Sequence, residues 1–148
     1  METQETIFRK VGEAIYFSQI LELHIIALST ILNERFSAGF DRKKLFLESD
    51  TQTLGKLIVI LKKHVSLDDG GSRILQEALE KRNYIAHHFF KRNVYAFSED
   101  NANELAVEKL DVAIKTLAEA TAMTVGFLEG FCSAFKIKLS DVLVEQDL

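Results

Sequence analysis

Ala14-Ile-Tyr-Phe-Ser-Gln-Ile-Leu-Glu-Leu-His-Ile-Ile-Ala-Leu-Ser-Thr-Ile-Leu32 is the most apolar window of the chain, and its reading decides the fold. It approaches bilayer-spanning length, but Gln19, Glu22 and His24 near its middle mark it as a buried helix of a soluble protein. Extended outward, the helix runs from about Glu5 to Phe36. At about 100° per residue, Ile7, Ala14, Leu21, Ile25, Leu28 and Leu32 fall on one stripe. Tyr16, Phe17, Ile20, Leu23, Ala27 and Ile31 widen it to an arc of about 200°, broader than a surface helix needs. Such a helix faces several others or a second subunit.

The same periodicity continues downstream, with 0 Pro and no alternating apolar and polar run. The fold expected is therefore an all-α bundle of four to five helices, one domain over 1–148 with its bundle at about 5–135 and a short amphipathic tail from Lys136 to Leu148. Ser37 to Asp50, with Gly39 and the triplet Arg42, Lys43 and Lys44, reads as a connection that docks Leu45, Phe46 and Leu47 on the core. A second helix covers Thr51 to Val65, capped by Asp50 or Thr51. Asp68, Asp69, Gly70 and Gly71 then read as a turn, and Ser72 as the cap of a third helix reaching Lys91. After a polar break at Ser98 to Asn101, with Asn101 and Glu104 resembling a capping box, a fourth helix carries Leu110, Ile114, Leu117, Thr121, Val125, Leu128 and Phe135 at the intervals of an antiparallel bundle helix. Gly126 and Gly130 would let another helix approach it closely.

With 148 residues and 47% hydrophobic content, the chain has enough apolar material for one core. A formal charge of −4 excludes a uniformly basic coat, so any nucleic-acid contact must be local. The lone Cys132 cannot pair internally, and the N-terminus lacks the order of a signal peptide; a cytoplasmic location and no membrane contact are expected. Cys132, among Phe131 and Phe135, reads as a small buried hydrophobe. His24 reads as a hydrogen-bonded core residue, and His64 and His88 fall on polar faces. No phosphate loop, HExxH pair or zinc-finger spacing occurs. Neither a metal nor a cofactor is therefore expected.

The third helix carries the anomaly. Arg82 lies in the middle of its apolar face, with Leu75, Leu79, Ala86 and Phe90 on one side and Ile74, Ala78, Ile85 and Phe89 on the other. A guanidinium in that position is paired with a carboxylate from another helix, faces a subunit boundary or lines a cleft, because an isolated buried charge is very expensive. Asn83 and His87 stand one turn apart on the border of the stripe. Arginine recognises phosphate oxygens, histidine exchanges protons near neutral pH, and asparagine orients either. Lys81, His88, Lys91 and Arg92 concentrate positive charge around them and are candidate RNA contacts.

At Arg82-Asn-Tyr-Ile-Ala-His87 the sequence resembles the HEPN superfamily, the higher eukaryotes and prokaryotes nucleotide-binding domains, whose signature places His a few residues after Arg near a helix end. The resemblance implies a metal-independent endoribonuclease, a homodimer in which two copies of the motif face one cleft. It implies that His87 is general base or acid, that Arg82 stabilises charge on the phosphate, and that Asn83 positions the phosphate or His87. RNA would be the substrate, and a cognate antitoxin or regulatory protein a partner, in a toxin or phage-defence role. In toxins paired with a nucleotidyltransferase, the residue two after the motif His is a Tyr that the partner modifies; here it is Phe89. The alternative reading is a non-catalytic HEPN-like module that binds a nucleotide or a protein through the same basic edge.

Overall fold

A computed structural model describes residues 4–36, 53–98 and 100–143. Its elements are α1 (Gln4–Phe36), α2 (Thr53–His64), α3 (Asp69–His87), α4 (Phe89–Arg92), a 3₁₀ turn (Val94–Phe97), α5 (Asp100–Phe135) and α6 (Leu139–Leu143). The protein is an all-α helical bundle. The basic triplet at Arg42 to Lys44, the docking residues Leu45 to Leu47, the proposed cap at Asp50 or Thr51, the side chain of His64 and the final residues 144–148 lie outside the described part.

The α1 stripe is the spine of the core. Ile7, Ala14, Leu21, Ile25, Leu28 and Leu32 are all buried, and so are Ala27 and Ile31 from the wider arc, whereas Tyr16 faces solvent. Four elements, α2, α3, α5 and α6, use that arc, and α5 covers it most extensively. This packing accounts for a helix long and apolar enough to cross a membrane, 61% of whose most apolar window is buried inside the fold.

From α5, Ala106, Leu110, Ala113, Leu117, Ala120 and Leu128 enter the same core. Its direction differs in part from expectation. Lys10 pairs with Asp111, and His24 with Thr124, so α5 runs parallel to α1. It is antiparallel to α3, where Gly71 faces Met123 and Asn93 meets Lys109. A heptad pattern reports which face is buried and is silent on the polarity of the neighbour. Gly126 and Gly130 are exposed with open space around them, so no helix makes the close approach their size would permit.

Two boundaries of α3 also differ. Asp68, in extended backbone, is the N-cap; its Oδ1 accepts from Gly71 N–H at 2.6 Å. Gly70 and Gly71 therefore lie inside the first turn, and Ser72 caps nothing. The carboxylate one turn before Gly71 outcompetes the glycines' turn preference, and a Cβ on Gly71 would sit 3.2 Å from that carboxylate oxygen. At the other end, α3 stops at His87 rather than Lys91. His88 takes a non-helical conformation, and the re-aimed chain buries Phe89 with ring edges on Tyr84 and Phe90. Asn93 then closes α4 by donating its amide to Phe89 O at 2.6 Å. Asn101 lies inside α5, which begins at Asp100.

His24 is the core histidine the sequence suggests. Thr124 donates its hydroxyl proton to Thr121 O at 2.9 Å, so its oxygen accepts from His24 Nδ1–H, also at 2.9 Å. Burial lowers the His24 pKa below its ordinary 6.5, partly offset by the Thr121 carbonyl. In the unfolded chain His24 takes up its proton as pH falls through 6.5, while the folded form resists. Stability from this group is therefore complete above 6.5 and declines below it, with a slope of at most about 1.4 kcal/mol per pH unit. Urea unfolding of wild type and His24→Gln at pH 8 and pH 5 checks this: the acid-side loss should be smaller in the variant.

Candidate functional site

Because Leu75, Ala78 and Ile85 turn inward, the guanidinium of Arg82 leaves the α3 core face sideways, towards α1. The two helices are antiparallel there, with Phe8 of α1 against Phe90 at 6.0 Å between ring centroids and Glu22 opposite Arg82. Arg82 Nε donates to Glu22 Oε1 at 3.2 Å, and Nη1 donates to Asn83 Oδ1 at 3.1 Å. The two charged side chains are only 12% and 16% exposed. Sequence analysis left a carboxylate mate and a cleft as alternatives; both are present. A cavity of ≈ 340 Å³ opens between α1 and α3, lined by Ile15, Ser18, Gln19, Glu22, Arg82, Ile85 and Ala86.

A guanidinium has five N–H donors, and Glu22 and Asn83 take two of them. The others have no partner among the described residues and belong to a side chain that lines the cavity. Ile15 of its wall is 43% exposed, and the Phe8–Phe90 ring pair between α1 and α4 is exposed by 57% and 41%. A planar, permanently charged donor set with unused N–H groups is suited to a phosphate or carboxylate.

Arg82 and Asn83 are thus hydrogen-bonded to each other, but of the three motif residues Arg82 alone lines the cavity; Asn83 and His87 are not part of its wall within one copy of the chain. His87 is the last residue of α3, exposed, with its ring against that of His88 at 6.3 Å. His88 occupies the joint between α3 and α4, and Lys91 is exposed on α4. Lys81 and Arg92 line a different concavity, between α3 and α5. The candidate residues are therefore divided between α3, the joint at its C-terminal end and α4, and face two different concavities.

Sequence reasoning did not assign a role to Glu22, Tyr84, Asn93 or Lys109. Glu22 was visible as a carboxylate in the most apolar window; its facing Arg82 depends on the α1–α3 register, which no local pattern fixes. Cys132 is buried, and burial pushes its thiol pKa up, which disfavours the reactive thiolate. Among the described residues, no three His, Cys, Asp or Glu side chains are grouped so as to hold a metal ion. No family model, curated protein or solved structure matches the chain.

Proposed function

We propose that the protein is a cytoplasmic, metal-independent endoribonuclease of HEPN type that acts as a homodimer. The observation that carries this reading is Arg82, nearly buried and pinned by Glu22 and Asn83, yet with unspent N–H donors at an open cavity. The RNA 2′-hydroxyl loses its proton to a base and attacks the adjacent phosphorus. The bond from phosphorus to the 5′-oxygen breaks, and that oxygen takes a proton. A 2′,3′-cyclic phosphate and a 5′-hydroxyl result. Arg82 stabilises the charge that builds on the phosphate, Asn83 holds the guanidinium in place, and His87 exchanges the proton at one oxygen.

Within one copy His87 stands outside the cavity wall, and exposed Ile15 together with the exposed Phe8–Phe90 pair between α1 and α4 supports a second copy packing on this side of the bundle. A toxin or phage-defence role agrees with such an activity. Because Phe89 lacks a hydroxyl and is fully buried, control by nucleotide transfer to that position is excluded. The test is incubation of purified protein with labelled RNA in chelator, with solution mass measured alongside. Products ending in a cyclic phosphate, made by a species of twice 16.8 kDa, are expected; intact RNA overturns the reading.

One observation favours a second reading. The Arg82–Glu22 ion pair is mostly buried, as in a structural pair, and a non-catalytic module that binds a nucleotide or a protein would retain it for stability. That reading expects loss of stability in Arg82→Ala and no RNA cleavage by any variant.

A further inference from the structure

The concavity between α3 and α5 measures ≈ 410 Å³. Its cations are Lys81, Arg92 and Lys109, against one carboxylate, Glu108. None of the three cations forms an ion pair with a described residue, although the chain has 22 acidic residues to 18 basic ones. Three cations beside a single carboxylate make this groove locally positive on a chain that is acidic overall, which favours an anion there.

The wall is also held in place from behind. Asn93, only 8% exposed, donates Nδ2–H to the Tyr84 hydroxyl at 2.9 Å and accepts from Lys109 Nζ at 3.1 Å on Oδ1. One buried amide thus fixes two groups of the groove. Tyr84 keeps its own hydroxyl proton, and Lys109 two N–H groups, for a ligand. Leu105 and Val112, both exposed, line the same groove two turns apart on α5, about 10.5 Å along the axis. They offer apolar rests beside the charges.

We propose that this groove holds one nucleotide unit of single-stranded RNA, its phosphate on Lys81, Arg92 and Lys109 and its base against Leu105 and Val112. The inference rests on the ribonuclease reading and deepens it by naming the form of RNA. A cavity of ≈ 410 Å³ is of a size to admit one nucleotide, and a single strand can turn a base into it, whereas a duplex keeps its bases stacked and paired inside. Positive charge beside apolar or aromatic platforms is the general solution for single strands.

The wheel of α3 supplies the path. With Arg82 at 0°, Asn83 stands at about 100°, His87 at about 140°, Tyr84 at about 200° and Lys81 at about 260°. A strand that reaches from Arg82 on one flank to Lys81 on the other must cross the outer face of α3, and His87 marks the end of that face free of carboxylates, since Glu77 and Glu80 occupy it further towards the N-terminus.

Binding is measured by fluorescence anisotropy with a labelled, fully 2′-O-methylated single strand, which has no attacking hydroxyl. Wild type is compared with the triple variant Lys81→Gln, Arg92→Gln, Lys109→Gln, with thermal unfolding as a fold control. The variant should bind at least about tenfold more weakly, and its slope of log affinity against log salt should shrink by about 2, the value for three lost contacts to a single strand. Unchanged affinity and slope overturn the groove even if unmodified RNA is cleaved. So does failure of wild type to bind the strand, or equal binding of a duplex of the same length. If the strand binds as expected but unmodified RNA stays intact, the groove stands and the ribonuclease reading falls.

Discussion

His87→Ala should fold as wild type does and lose RNA cleavage by about two to four orders of magnitude, the range that a general acid or base supplies. The first half follows from its position. His87 is exposed at the end of α3 with its ring beside that of His88, so its removal should change stability by within about 0.5 kcal/mol. Arg82→Ala should abolish cleavage as well, with a different companion effect. It removes a mostly buried ion pair at the cavity wall, and a loss of about 1–3 kcal/mol is expected, less than for a fully sealed pair. The comparison separates the two readings of the motif. Cleavage rates on labelled RNA and urea unfolding of both variants decide it: a structural Arg82 in a non-catalytic module gives instability in one variant and intact RNA in wild type and both variants.

The largest stability effect is expected from Phe89→Ala, about 3–5 kcal/mol by urea unfolding. Phe89 is among the largest fully buried side chains and sits just after the break between α3 and α4. Its ring meets those of Tyr84 and Phe90 edge to face, at centroid distances of 6.0 and 5.1 Å, so truncation removes aromatic contacts as well as apolar burial. The cavity left behind cannot collapse easily, because Asn93 ties the following turn to the Phe89 carbonyl. Phe90→Ala, on the exposed side of the same dipeptide, should cost less than half as much.

The stripes of α1 and α5 were legible because a buried helix repeats its apolar residues on one side, and the sequence displays that repeat directly. Helix ends were less so. The cap at Asp68 and the break at His88 turn on which of several adjacent polar groups captures a backbone amide, and on whether Phe89 or its neighbour wins the core. Similarly, Arg82 announced itself as a charge on an apolar face, but Glu22 lies 60 residues away in the chain and Lys109 belongs to another helix. Such partnerships arise only when helices settle into register. The parallel run of α5 beside α1 was hidden for the same reason, since periodicity carries no sign of direction.

That parallel pairing has a consequence for biosynthesis. The helix that covers α1 most fully starts at Asp100, so translation delivers the spine of the core well before its principal cover. At about 5–20 residues per second, the interval between the two is several seconds. Throughout it, the nascent chain carries an apolar helix of membrane-spanning length whose largest partner has yet to be made, with the shorter α2 and α3 as its cover.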